Sequence, residues 1–160
     1  MYKNHSNMST MNENHYRHLA VMAILSFIAM YILMYAMVNA IDNVYNNFNQ
    51  FYMAGLMAAP MVIIELVVMR AMYPNKRLNL LIITVSIVAL LGFFLFIRQQ
   101  TAISDKQFLR SMIPHHAGAI LMCEESSIQD PEIQELCGAI ISSQQAEIDQ
   151  MEAILQRLEE

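Results

Sequence analysis

Hydrophobic positions in this chain follow two rhythms, continuous as far as residue 97 and periodic beyond it. Residues 19–38 carry no charge, and their polar side chains are Ser26 and two tyrosines. Residues 51–69 contain one charge, Glu65, and one proline, Pro60, while residues 80–97 contain no charge. At about 1.5 Å of rise per residue each run reaches close to the ~30 Å hydrocarbon core of a bilayer. Three such runs in series predict three transmembrane helices. A polar leader, residues 1–18, precedes them, and its composition predicts a disordered tail. That leader is long, the apolar run behind it is too long and no small-x-small site follows, so it does not read as a cleavable signal peptide.

From residue 100 the pattern turns amphipathic. Ser104 followed by Gln107 has the form of a capping box. Asp130-Pro131-Glu132 supplies an N-cap, a proline at N1 and an acid in the first turn. These signals predict a helical hairpin, with helices over 105–127 and 131–158. Pro114 falls inside the first helix and predicts a kink there. On the second, Cys137, Ile141, Gln144, Ile148, Met151, Leu155 and Leu158 alternate 4-3 along one seam. On the first, Leu109, Ile113, His116, Ile120 and Cys123 form the matching stripe. Two helices alone bury too little apolar surface for a core. Dimerisation into a four-helix bundle, as a homodimer or higher homo-oligomer, is the simplest completion. The fold class is therefore all-α: three transmembrane helices followed by a hairpin domain at 100–160.

Charge adds orientation. Loop 39–50 has no Lys or Arg, whereas the next loop carries Arg70, Lys76 and Arg77. The positive-inside rule then puts the leader and that second loop in the cytoplasm and the hairpin outside, against the opposing pull of Arg98, Lys106 and Arg110. The net charge of −5 offers no basic stripe for phosphates, which excludes a nucleic-acid partner; the partner implied is the lipid bilayer.

Candidate chemistry sits in the first hairpin helix. Met112, His115, His116 and Met122 bring two imidazoles and two thioethers into about three turns, and these side chains suit copper, thioether selecting Cu(I). His115 and His116 diverge by about 100°, so a second helix must help to complete any site. With a turn near residue 130, residues summing to about 260 lie side by side. Met151 then approaches Met112, and Gln144 or Glu147 can orient an imidazole from behind. Cys123 and Cys137 also face each other; a disulfide, a thiolate pair for Cu(I) and two small buried hydrophobes all fit. In the second membrane helix Glu65 lies on a methionine face with Met61, either a functional intramembrane site or a snorkelling carboxylate. Small residues beside it, Ala54, Gly55, Ala58 and Ala59, suit a helix-packing surface. No Glu-x-x-His pair supports a di-iron centre, and no nucleophile–base–orienter set supports a hydrolase, so no enzyme is expected.

The string Phe108-Leu109-Arg110-Ser111-Met112-Ile113-Pro114-His115-His116, with Gly118 to Met122, Asp130 to Ile133, and Gln144, Glu147, Ile148 and Met151, resembles the family called domain of unknown function 305. With three membrane helices ahead of it, the chain resembles a membrane-anchored bacterial branch. The resemblance implies a ferritin-like helical bundle, an association with copper binding and resistance in the periplasm, and Met112, His115, His116, Met122 and Met151 as ligands. The leading expectation is thus an inner-membrane protein with a periplasmic His/Met copper site for tolerance or delivery, Cu(I) favoured. The alternative is a membrane-anchored dimerisation or partner-binding module that uses no metal.

Overall fold

The apolar and amphipathic runs all become helices in the computed structural model, which describes the backbone of residues 3–160 and side chains from residue 14 onward. The helices are α1 (Lys3–Leu33), α2 (Phe48–Val68), α3 (Lys76–Gln99), α4 (Asp105–Glu125) and α5 (Pro131–Glu159). Two 3-10 turns, Met34–Met37 and Ile41–Asn43, interrupt the α1–α2 connection. No strand occurs among the described residues. The polar leader corrects one expectation, because it continues α1 back to Lys3 instead of forming a disordered tail. The side chains of His5, Met8 and Met11 lie outside the described residues.

The chain divides into two units, Met1–Ile32 with Phe51–Thr101, and Leu33–Gln50 with Ala102–Glu160. In the first, Asn14–Met37, Phe48–Val68 and Lys76–Gln99 are long and apolar enough to cross a membrane. Their large side chains, such as Ile24, Leu25, Ile64, Val88 and Leu91, point outward, as lipid-facing residues must. Inside, Leu19, Leu66 and Tyr73 form a small core with Val62, Ile82 and Ile83. Toward the other end Phe51 meets both Phe27 and Phe93 edge to face. The small-residue surface of α2 is used here: Ala54, Gly55 and Ala59 are buried, and a Cβ at Gly55 would run into the Phe93 ring.

The second unit is built on the hairpin. Leu109, Ile113, Ala117, Ile120, Ile148 and Leu155 make its core, and Ile141, Met151, Ile154 and Leu158 pack against it. The stripes read from spacing are therefore the buried ones. Residues 33–50 add a layer that periodicity did not predict, since Val38 and Tyr45 pack on the same core. Gly118 lets that layer approach α4, with the Met37 carbonyl oxygen 3.3 Å from where a Cβ would stand.

The caps explain the helix starts. Asp130 accepts from the N–H groups of Glu132 and Ile133 at 2.9 and 3.2 Å, as its sequence context requires. The expected capping box at Ser104 does not form, because the Ser104 side chain makes no cap bond. Gln107 instead accepts from the Phe48 N–H at 3.0 Å, at the first residue of α2. Helix α4 runs on through Pro114.

Candidate functional site in the hairpin

His116 is the best-held polar side chain of the hairpin. It lies on the buried stripe of α4, 7% exposed. Its Nδ1 is 2.9 Å from the Met112 carbonyl oxygen one turn back, and its Nε2 is 2.6 Å from Oε2 of Glu147 on α5. Both neighbours are acceptors, so both contacts are satisfied when each ring nitrogen carries a proton. In that form neither nitrogen has a lone pair for a metal.

The other sequence candidates do not join it. His115 is exposed, its ring centroid 5.9 Å from that of His116 and tilted by 62°. Met122 is 53% exposed and stands about 15 Å along the helix axis from Met112, at ten residues' spacing. Met151 packs against the apolar core, Met112 is half-buried, and Gln144 is half-buried on the α5 seam. Cys123 and Cys137 form a disulfide with Cα atoms 5.3 Å apart, which removes both thiolates. No group of three or more His, Cys, Asp or Glu among the described residues is placed to hold a metal ion. The copper expectation, Cu(I) included, is therefore corrected. Packing of the two helices turns one imidazole into a structural bond and leaves the other candidates apart.

In α2, Glu65 is half-buried, as is Met61 one turn before it. The Glu65 carboxylate accepts from the Tyr73 hydroxyl at 3.3 Å; Met53 and Met57 of α2 are exposed, as are Met69 and Met72 in the turn that follows it.

A feature that sequence reading missed lies at the open end of the hairpin. Asp42, Tyr45, Glu152, Leu155, Gln156 and Glu159 line a cavity of about 430 Å³. Burial pushes the Tyr45 phenol above its ordinary value, and the charges of Glu152, Glu159 and Asp42 push it further, with Arg110 opposing. Arg110 binds Glu159 at 2.7 Å. The signal in the sequence was a loop holding Val38 and Tyr45 among uncharged asparagines; Asn43 and Asn47 are buried and hydrogen-bonded within it.

The geometry also separates two faces of α4. One is covered, with Ile113, Pro114, Ala117 and Gly118 buried. The other carries Phe108, Met112, His115, Ala119 and Met122 at 4-3-4-3 spacing, all exposed or half-buried. On α5, Ile133 and Leu136 are exposed and Ile140 is half-buried. Because Cys123 and Cys137 face each other, the residues just before them, Met122 and Leu136, each turn about 100° toward the same side of an antiparallel pair. That side is apolar and open.

Residues 97–155 match the family model described as Domain of unknown function (DUF305). One relative, Uncharacterized protein L153 of Acanthamoeba polyphaga mimivirus, is 39% identical over 107 residues, covering 66% of this chain and 68% of the relative. A stretch that long necessarily includes α3 and most of α2, so the likeness is not confined to the hairpin. This relative is viral, so it does not carry the bacterial source that the resemblance implied. No solved structure matches the chain.

Proposed function

The chain belongs to the DUF305 family, and on that premise we propose that it is a membrane-anchored self-association module. Three helices hold it in a bilayer, and the open face of its hairpin pairs with that of a second copy to complete a four-helix bundle. The observation that carries this reading is the exposure of Phe108, Met122, Ile133 and Leu136 on one side, each between 47% and 57%. Exposed apolar side chains on one side of a hairpin suit an interaction site, and a self-complementary face suits a twofold dimer. His115 and Met122, the ligand candidates of the sequence, are then interface residues.

The hairpin lies on the extracytoplasmic side, the periplasm in a bacterial cell, with the N-terminus in the cytoplasm. The Cys123–Cys137 disulfide supports this, since such bonds persist in oxidising compartments. The cation-rich Arg70–Arg77 loop, one membrane crossing before α4, supports it as well. A C-terminal alkaline-phosphatase fusion is expected to be active; an inactive fusion with an active cytosolic reporter reverses the orientation.

Pairing is tested by the mass of the full chain in detergent, beside Met122→Glu/Leu136→Glu with both cysteines retained. The parent is expected to be dimeric with or without a chelator, and the variant monomeric with unchanged helix content. A parent that stays monomeric at the concentrations reached in the membrane overturns the reading.

A further inference from the structure

At the Arg70 end of the membrane unit, cations gather. Tyr16 of α1 is fastened to the α2–α3 connection: its hydroxyl donates to Asn79 Oδ1 at 2.7 Å and accepts from the Asn75 N–H at 3.2 Å. Asn79 Nδ2 donates to the Tyr73 carbonyl at 2.8 Å, and the Tyr16 and Tyr73 rings stand 5.2 Å apart. This clasp brings Arg17, the residue after Tyr16, to the end of the unit that carries Arg70, Lys76 and Arg77. All four are exposed. Among the described residues the ion pairs are Arg110–Glu159 and His116–Glu147, both in the other unit. Glu65, the carboxylate beside the clasp, is engaged by the Tyr73 hydroxyl.

We propose that Arg17, Arg70, Lys76 and Arg77, on a rim fixed by the Tyr16–Tyr73–Asn79 clasp, bind the phosphate headgroups of anionic phospholipids. Guanidinium groups grip phosphate oxygens in pairs, and tyrosines settle at headgroup depth. The rim lies where the apolar spans of α2 and α3 end, so lipid phosphate is the anion already present at that level. This inference is independent of hairpin pairing.

The full chain is reconstituted in phosphatidylcholine bilayers doped with spin-labelled phosphatidylglycerol or spin-labelled phosphatidylcholine. The immobilised fraction of each label is read by electron paramagnetic resonance. The parent is expected to prefer phosphatidylglycerol at least about fivefold, the contribution of one Lys or Arg near an anionic surface. Arg70→Gln/Lys76→Gln/Arg77→Gln should bring that preference close to unity, whereas Arg98→Gln, at the opposite end of α3, should leave it intact. If the triple variant does not fold, the parent alone decides. Its preference must collapse near 1 M salt, where the Debye length is ~3 Å, and must resist excess inorganic phosphate at constant ionic strength. A parent with no preference, a preference that survives high salt, or displacement by inorganic phosphate overturns the proposal.

Discussion

His116 shows how a residue chosen for one chemistry is used for another. An imidazole on the buried stripe of a hairpin must have its polar atoms satisfied, and the nearest groups are a carbonyl and a carboxylate. Glu147→Gln keeps the shape and removes the charge. With the carboxylate side chain half exposed and so screened by solvent, the expected cost is about 1 kcal/mol, below the range for a buried bond to a charged group. His116→Ala adds a cavity and should cost more; denaturant unfolding of both variants checks the order. Tyr45 supplies a pH dependence. Its folded phenol binds the proton more tightly than the ordinary value of 10.0 allows, so its share of stability is complete below that value. The share is lost as pH rises through the raised value. Melting of the parent minus that of Tyr45→Phe should therefore fall above about pH 10 and stay level between pH 7 and 9. A level difference throughout would show that Tyr45 titrates alike in both states.

At the scale of elements, α4 and α5 owe their ends to different devices. Asp130 and Pro131 start α5 locally, and any chain with that string would do the same. Near the turn the helices are clamped by Cys123–Cys137, closing a loop of 14 residues. Loop-closure entropy gives such a bond about 3 kcal/mol. Cys123→Ser/Cys137→Ser should lower hairpin stability by about 2–4 kcal/mol, seen as faster hydrogen exchange near residues 120–140 before any loss in the membrane helices. Uniform protection would mean that the core alone holds the turn. The start of α4 works otherwise: Gln107 was legible as half of a capping box, yet its amide oxygen went to the Phe48 N–H. A local motif lost to a donor 59 residues away, at the first residue of another helix.

For the whole molecule, charge and apolarity are divided between the units. Of the 14 acidic residues, Glu13 and Glu65 belong to the membrane unit and the others to the hairpin unit, which holds only Lys106, Arg110 and Arg157 against them. Two acidic hairpins repel each other while their apolar faces attract. Raising salt from about 10 mM to about 0.15 M shortens the Debye length from ~30 to ~8 Å, so dimerisation of the full chain should strengthen with salt in sedimentation equilibrium. Association that weakens with salt would point to copies pairing through opposite charges and not through the apolar face.

The membrane helices, the hairpin and its buried seam were all legible in the sequence, because each depends on properties local to a run of residues. Length and absence of charge decide a span, and 3.6-residue periodicity decides which of Leu109, Ile113, Ile148 and Leu155 turn inward. The family was legible too, since the Met-Ile-Pro-His-His string carries it. What periodicity cannot encode is which polar atoms meet across elements. Whether Cys123 and Cys137 would bond, bind metal or merely pack stayed open until their Cα atoms were seen 5.3 Å apart. Whether His116 would face a metal or Glu147 depended on α5 register, which differs by one helical turn between its two possible neighbours, Gln144 and Glu147. The layer of residues 33–50 depended on long-range packing of Val38 and Tyr45, a contact between segments over 60 residues apart that no local pattern records.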